Sequence, residues 1–298
     1  MANTKITNPE LFNLGASTSA TQLPVMTTTQ RTATTGLSVG EMIFNSTTDK
    51  VEYFDGTKWY GITYEENPCF ATDPDTSLVL YLDAANINSF DQATNPNTWY
   101  GLGSATSNNA SNVNLATFNA TTVNYLANFG LLNGGGNFGI VPNNTNLYWA
   151  QNRSISVWVK ITSLNNNQGI VSKFNNTTPY GWVLSKESAN LAFTFYVSQT
   201  GYKVIWNMTS KLNQWMQVTV TYSTSLLSLY VDGVYKNAIA TSATPQNYTG
   251  NVRIGRFYDL FSGYALDGYV SEVKMWSKWL SQTEVTAEFD RKKACFGL

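Results

Sequence analysis

The stretch Trp215-Met216-Gln217-Val218-Thr219-Val220-Thr221-Tyr222 places Met216, Val218, Val220 and Tyr222 on one face and Gln217, Thr219 and Thr221 on the other. Successive side chains of a strand point to opposite faces, so this is the pattern of a half-buried antiparallel strand. Leu227-Ser228-Leu229-Tyr230-Val231 alternates in the same way and runs into Asp232-Gly233, a dipeptide that supplies the positive φ angles of a tight hairpin turn. Val252-Arg253-Ile254-Gly255-Arg256 and Leu266-Asp267-Gly268-Tyr269-Val270-Ser271-Glu272-Val273-Lys274-Met275-Trp276 continue the series. In Leu280-Ser281-Gln282-Thr283-Glu284-Val285, Ser281 is spaced as an N-cap and Glu284 as its capping-box partner, which predicts a short helix to about Arg291.

Upstream, Leu78-Val79-Leu80-Tyr81-Leu82-Asp83-Ala84 and Ser154-Ile155-Ser156-Val157-Trp158-Val159-Lys160 belong to the same ordered set. In Trp158 and Ile155/Val157/Val159 the latter strand carries bulk on opposite faces, so both faces are expected to be covered. Taken in order, W-x-x-V-x-V-x-Y, L-x-L-Y-V-D-G, V-R-I-G and L-D-G-x-V-x-E-V resemble the laminin-G-like, concanavalin A-like jelly-roll domains. The wording at the two ends is similar to the version found in structural proteins of tailed bacteriophages. The resemblance implies an all-β fold: an antiparallel β-sandwich preceded by a small β-hairpin module and an extended N-terminal arm. It also implies framework roles for Trp215, Trp276 and Glu272.

Composition narrows the function classes. Charged residues make up 12% of the 298, against about 25% in ordinary soluble domains. The net charge is -1 and no basic cluster occurs, so nucleic-acid binding is not expected. No apolar run approaches the roughly 18 residues of a membrane span, and no export signal is expected at the N-terminus. The absence of histidine removes histidine-based acid-base catalysis and most zinc and iron sites.

The N-terminal third is organised differently. Gly15 to Thr35 is dominated by Thr, Ser, Ala and Gln and is expected to be extended, ordered only against a partner. Met42 and Phe44 alternate before an Asn45-to-Lys50 turn, Val51 and Tyr53 alternate after it, and Asp55-Gly56 turns the chain again before Trp59. The pattern P-x-x-T-x-x-Q-R, G-x-x-I-x-N, Y-x-D-G-x-x-W resembles a module of phage head and tail fibres. A unit of about 40 residues is barely stable alone, and a trimer would supply the missing burial. The expected organisation is an attachment arm over 1–22, the hairpin module over 23–62, a linker over 63–76 and the sandwich over 77–298. On this resemblance, Thr4, Ile6, Leu11, Phe12 and Leu14 would attach the chain to capsid, tail or portal-region proteins of a virion assembled in the bacterial cytoplasm. That reducing compartment favours free thiols at Cys69 and Cys295, although domain ends that meet would let them pair.

Long polar loops, Asn86 to Asn114 and Asn143 to Arg153, lie where a rigid sandwich usually carries recognition. Sugar rings stack on flat apolar faces, which singles out Tyr180 with Trp182, Tyr202 with Trp206, and the loop Phe257–Tyr264 with Tyr258, Asp259, Phe261 and Tyr264. The competing expectation is that these rings fill the sandwich or a subunit interface. The E-x-D-x-E string of the fold's glycan hydrolases is missing, with Glu272 isolated and Glu187 in a turn, so no catalysis is expected. The resemblance also raises calcium, with Asp83, Asp91, Asp259 and Asp267 as carboxylates to consider. No contiguous ligand run assigns a metal site, and no cofactor is expected. Asp83 and Asp267 are expected to cap strand ends or turns. The function expected is a virion fibre-like appendage that adheres to a host-surface glycan; the alternatives are a purely structural decoration or collar protein and a glycan depolymerase.

Overall fold

The computed structural model describes residues 23–48, 50–61, 73–86, 88–90, 97–111, 117–119, 125–127, 139–175, 177–257 and 264–298. The chain divides into two compact units, Met1–Glu66 and Asn67–Leu298. In the first, β1 (Val25–Met26), α1 (Thr28–Ala33), β2 (Met42–Asn45), β3 (Lys50–Phe54) and β4 (Trp59–Gly61) build a sheet of order β1-β2-β3-β4. β1 runs parallel to β2 and the other pairs are antiparallel, as the alternation in the hairpin module predicts.

The expectation of an extended chain through Thr35 is corrected by α1. Thr27 accepts from the backbone N–H of Gln30 while the Gln30 side chain accepts from Thr27, a reciprocal capping box. The helix is then tied to the sheet through Arg31, 2.5 Å from Glu52, and Thr28, bonded to Asn45.

The second unit contains β5 (Leu78–Asp83), β6 (Thr98–Trp99), β7 (Ala110–Ser111), β8 (Thr117–Asn119), β9 (Tyr125–Ala127), β10 (Gly139–Val141), β11 (Arg153–Ile161), β12 (Gln168–Asn175), β13 (Tyr180–Glu187), β14 (Asn190–Val197), β15 (Thr200–Asn207), β16 (Trp215–Tyr222), β17 (Leu226–Val231), β18 (Val234–Ala240), β19 (Val252–Ile254), β20 (Gly268–Trp276) and α2 (Gln282–Lys292). One sheet runs β15-β14-β13-β12-β19-β10-β7-β6; the other runs β18-β17-β16-β11-β20-β9-β8, with β5 also paired to β20. This is the antiparallel sandwich. Its core is built from Ile155, Val157, Val218, Val220 and Val273 of one sheet against Ile170, Trp182, Leu184, Phe193 and Ile254 of the other. Within the stretch expected to be a long polar loop, β6 and β7 pair and bury Trp99 and Ala110.

Local signals hold where they are strong. Asp232 and Gly233 adopt φ of 54° and 72° between β17 and β18, a turn with positive φ at both central residues. Ser281 and Glu284 form the capping box of α2. Three expectations change. β16 is buried on both faces, because α2 and the tight turn at Lys293–Phe296 lie over the outer surface of its sheet. There Trp158 stacks at 3.9 Å on Phe296 and at 5.7 Å on Phe289, and Gln217 donates to the Glu288 carbonyl. Trp276 is buried, but Trp215 is half-buried against Phe296 and Tyr269. Cys295 is disulfide-bonded, which corrects the expectation of a free thiol there; Cys69 lies outside the described residues.

A buried ionic cluster fastens α2 to the sheet. The Lys274 ammonium lies 2.7 Å from Glu288, 3.0 Å from Asp73 and 3.7 Å from Glu272, and 4.5 Å from the centre of the Tyr81 ring. Lys292 bridges Glu272 at 2.6 Å and Asp83, while Arg291 reaches Glu288 and Asp73. Asp83 also accepts from the Ala85 N–H, capping the end of β5 as expected.

Burial pushes the Glu288 carboxyl up to about 7, with the Glu272 charge adding to it and Lys274 opposing it. Its proton is therefore held more tightly in the folded chain than in the unfolded one. The stabilisation is full below the ordinary value of 4.5 and is lost as pH rises through about 7, on the order of 3 kcal/mol. Burial raises Asp83 as well, with the same sign, whereas Lys274 holds Glu272 below its ordinary value against its own burial; that contribution is lost only on further acidification. The thermal midpoint should fall between pH 5 and pH 7.5, and Glu288→Gln should remove most of that fall. Equal pH slopes for the two proteins would refute this assignment.

Candidate functional site

The sheet led by β12, β13 and β14 turns one face to the core and one away from it. Register puts Ser172 opposite Val183, Phe174 opposite Gly181 and Val183 opposite Thr194, so these residues share the outer face. Tyr196 lies on the same face two residues beyond Thr194. Phe174 stacks on Tyr196 with centroids 4.9 Å apart, and Phe257 meets Phe174 edge-on at 5.8 Å. Tyr264 lies 5.9 Å from Phe257, and Arg256 pairs with Ala265 as an isolated bridge. The Ser172 hydroxyl donates to the Arg256 carbonyl at 2.9 Å. Phe257 and Tyr264 are thereby rooted on an apolar cluster in which Phe174 and Val183 are buried and Tyr196, Phe257 and Tyr264 are partly buried.

Of the residues singled out in that loop, Tyr264 is described and is half-buried in the cluster; Tyr258, Asp259 and Phe261 lie outside the described residues. Tyr180 is half-buried at the start of β13. Trp182 is corrected to a core residue: it is 1% exposed, sits between Trp149 and Phe193, and donates its indole N–H to the Leu147 carbonyl at 3.1 Å. Its parity on β13 places it on the face opposite to Val183, against the other sheet.

Tyr202 and Trp206 stand on the edge strand β15, half-buried against the core. Tyr202 stacks on Phe195 at 5.2 Å, and the Lys236 ammonium sits 5.3 Å from the Trp206 ring centre. Phe174 and Tyr196 were missed from sequence, although their alternation with Lys173 and Phe195 on neighbouring strands carried the signal. The attachment residues Thr4, Ile6, Leu11, Phe12 and Leu14 lie outside the described residues.

Electrostatics separate the surface from the carboxylates. Tyr196 is raised by burial and by the Glu187 charge. Glu187 itself pairs with Lys203 at 2.6 Å, and Glu272 lies in the ionic cluster under α2. Asp267 accepts from the Thr162 hydroxyl at 2.7 Å, the turn-capping role expected of it. Among the described residues there is no group of three or more His, Cys, Asp or Glu able to hold a metal ion; Asp91 and Asp259 lie outside them.

Residues 3–77 match the family model described as the phage tail like trimerisation region, which supports self-association as a trimer. No curated protein matches the chain. Among solved structures, it is similar to the ligand binding domain of botulinum neurotoxin serotype D at 17% identity, with a TM-score of 0.55 over 72% of this chain and 51% of that one. The binding domain of serotype G is 16% identical, with a TM-score of 0.55 over 73% and 51%. The binding domain of Paraclostridial Mosquitocidal Protein 1 is 14% identical, with a TM-score of 0.55 over 72% and 52%. The chain spans about half the length of these structures, and the likeness is one of fold. Residues 133–286, just over half of the chain, match the model described as the concanavalin A-like lectin/glucanases superfamily, and with the two-sheet sandwich they fill, the chain belongs to that superfamily.

Proposed function

We propose that the chain is a non-enzymatic, trimeric adhesin of a phage particle, a fibre-like head or tail appendage exposed on the virion. Its N-terminal arm docks on capsid or tail and portal-region proteins, and its sandwich binds a host-surface glycan. The observation that carries this reading is the presence, on one chain, of a trimerisation region and a lectin-superfamily sandwich whose outer sheet face bears a ring cluster at a loop root. Aromatic faces stack on sugar rings and hydroxyls take their polar edges. The glycan site proposed is formed by Tyr196 and Tyr264 of that cluster together with Tyr258, Asp259 and Phe261, which follow Phe257 in sequence. Tyr180 and Tyr202 are candidates for additional contacts. Three weak sites on one trimer combine into useful avidity. The serotype D neurotoxin ligand binding domain, of which this chain covers 51%, forms a complex with N-acetylneuraminic acid.

The ion pairs of Glu187 and Glu272 support a binding role over hydrolysis, because a glycosidase needs an acid and a second carboxylate free to act on either side of the scissile bond. The full chain, applied to arrays of host-surface polysaccharides, should bind a subset of them and release no reducing sugar. Failure to bind any host preparation would favour a structural decoration protein, and sugar release would replace adhesion with depolymerisation.

A further inference from the structure

The small sheet of the first unit has one side covered by α1 and the opposite, apolar side open. On the side facing α1, Asn45 and Glu52 are buried beside Ile43, and Arg31, Thr28 and Thr48 hydrogen-bond to them. The opposite side is read directly from the register. Val25, Phe44 and Val51 form one row across β1, β2 and β3, and Met42, Tyr53 and Tyr60 form a second across β2, β3 and β4. Residues directly opposite each other on paired strands project to the same face, so these six make one continuous apolar surface. Val25, Tyr53 and Tyr60 keep 57%, 39% and 37% of their surface exposed. Tyr53 and Tyr60 stack with centroids 5.5 Å apart, and the Lys58 ammonium lies 4.7 Å from the centre of the Tyr60 ring at the edge of the face. A unit this small buries too little of its own apolar surface to be secure alone, and an open apolar face of this kind marks an association surface.

We propose that this face, formed by Val25, Met42, Phe44, Val51, Tyr53 and Tyr60, is the surface through which three copies of the chain associate. The occupant is argued from the match of residues 3–77 to a trimerisation region, which contains the whole face. Closing three such faces around one axis buries them all and leaves the α1 sides outward. The inference rests on the trimeric part of the proposed function and on nothing about glycan binding.

Sedimentation of the full chain at micromolar concentration tests it. The wild type should sediment at three times its 33.0 kDa mass. Tyr53→Glu/Tyr60→Glu should sediment as a monomer, with trimer affinity weakened at least about a hundredfold. Val25→Asp, at a position mostly exposed already, should give the same direction of change without a folding penalty of its own. Val39→Asp is the control, since Val39 is 74% exposed in the same unit but is not on the face, and it should remain trimeric. Hydrogen–deuterium exchange of the β2 and β3 backbone amides reports whether the first unit is folded in each variant. Persistence of the trimer in both face variants, or a monomeric wild type, would overturn the proposal. A trimer that binds no glycan would overturn the proposed adhesion alone.

Discussion

Lys274→Ala should cost about 3–5 kcal/mol of stability, the range expected when one partner of a buried ion pair is removed. The ammonium is fully buried and lies within 4 Å of three carboxylates, those of Asp73, Glu272 and Glu288. Truncation removes the counter-ion that these three carboxyl groups share, leaving Arg291 and Lys292 as their remaining cationic partners. The cost thus comes from stranded carboxylates more than from a lost attraction, and Lys274→Met should be nearly as damaging as alanine. Denaturant titration should show a fall several times larger than that for Lys278→Ala. Lys278 also touches two carboxylates, Asp75 and Glu284, but it is 39% exposed, and surface pairs are worth about 1 kcal/mol or less. Equal losses for the two variants would remove the cluster as the fastening of α2.

Trp182→Ala should cost a further 3–5 kcal/mol by an unrelated route, the emptying of a packed aromatic site. The indole lies 6.0 Å from Trp149 and 6.1 Å from Phe193, and its N–H satisfies the buried Leu147 carbonyl. Trp182→Phe keeps most of the volume and loses one hydrogen bond, so its cost should be nearer 1 kcal/mol. At a temperature where both variants are folded, glycan binding should be unaffected, because the ring faces the core. A loss of binding in folded Trp182→Phe would restore Trp182 to the ligand site.

The contrast between these two residues shows which features could be read from sequence. Trp182 sits in the alternating run of β13, and its facing could have been assigned once Val183 was placed on the opposite side; read as an aromatic beside Tyr180, it suggested a ligand. The ionic cluster had no local signature. Asp73 lies 201 residues from Lys274 and Asp83 209 residues from Lys292, and only the pairing of β5 with β20 and the docking of α2 bring them together. Features written within four residues were legible: the Asp232-Gly233 turn, the Ser281–Glu284 cap, and the hairpins around Asn45 and Asp55. The Thr27–Gln30 cap has the same spacing, but the Thr-rich composition around it concealed a helix of six residues. Burial of both faces of β16 could not be read from its own alternation, since what covers its polar face is a helix more than 60 residues away.

The candidate site was half legible for a similar reason. The loop from Phe257 to Tyr264 stood out by composition, whereas the cluster that Phe257 and Tyr264 join is assembled from β12, β13 and β14 and appears only in the register. Edge aromatics such as Trp206 carry the same composition signal, but Lys236 occupies the ring of Trp206.

Adhesion through the outer sheet face is tested most directly by titrating one array-identified glycan into the full-length wild type, Tyr196→Ala/Tyr264→Ala and Trp206→Ala. The double variant should bind at least about tenfold more weakly, a loss of about 1.4 kcal/mol, while folded and trimeric, and Trp206→Ala should bind much as the wild type does. Unchanged affinity in the double variant, or a loss confined to Trp206→Ala, would contradict the assignment of glycan binding to this face.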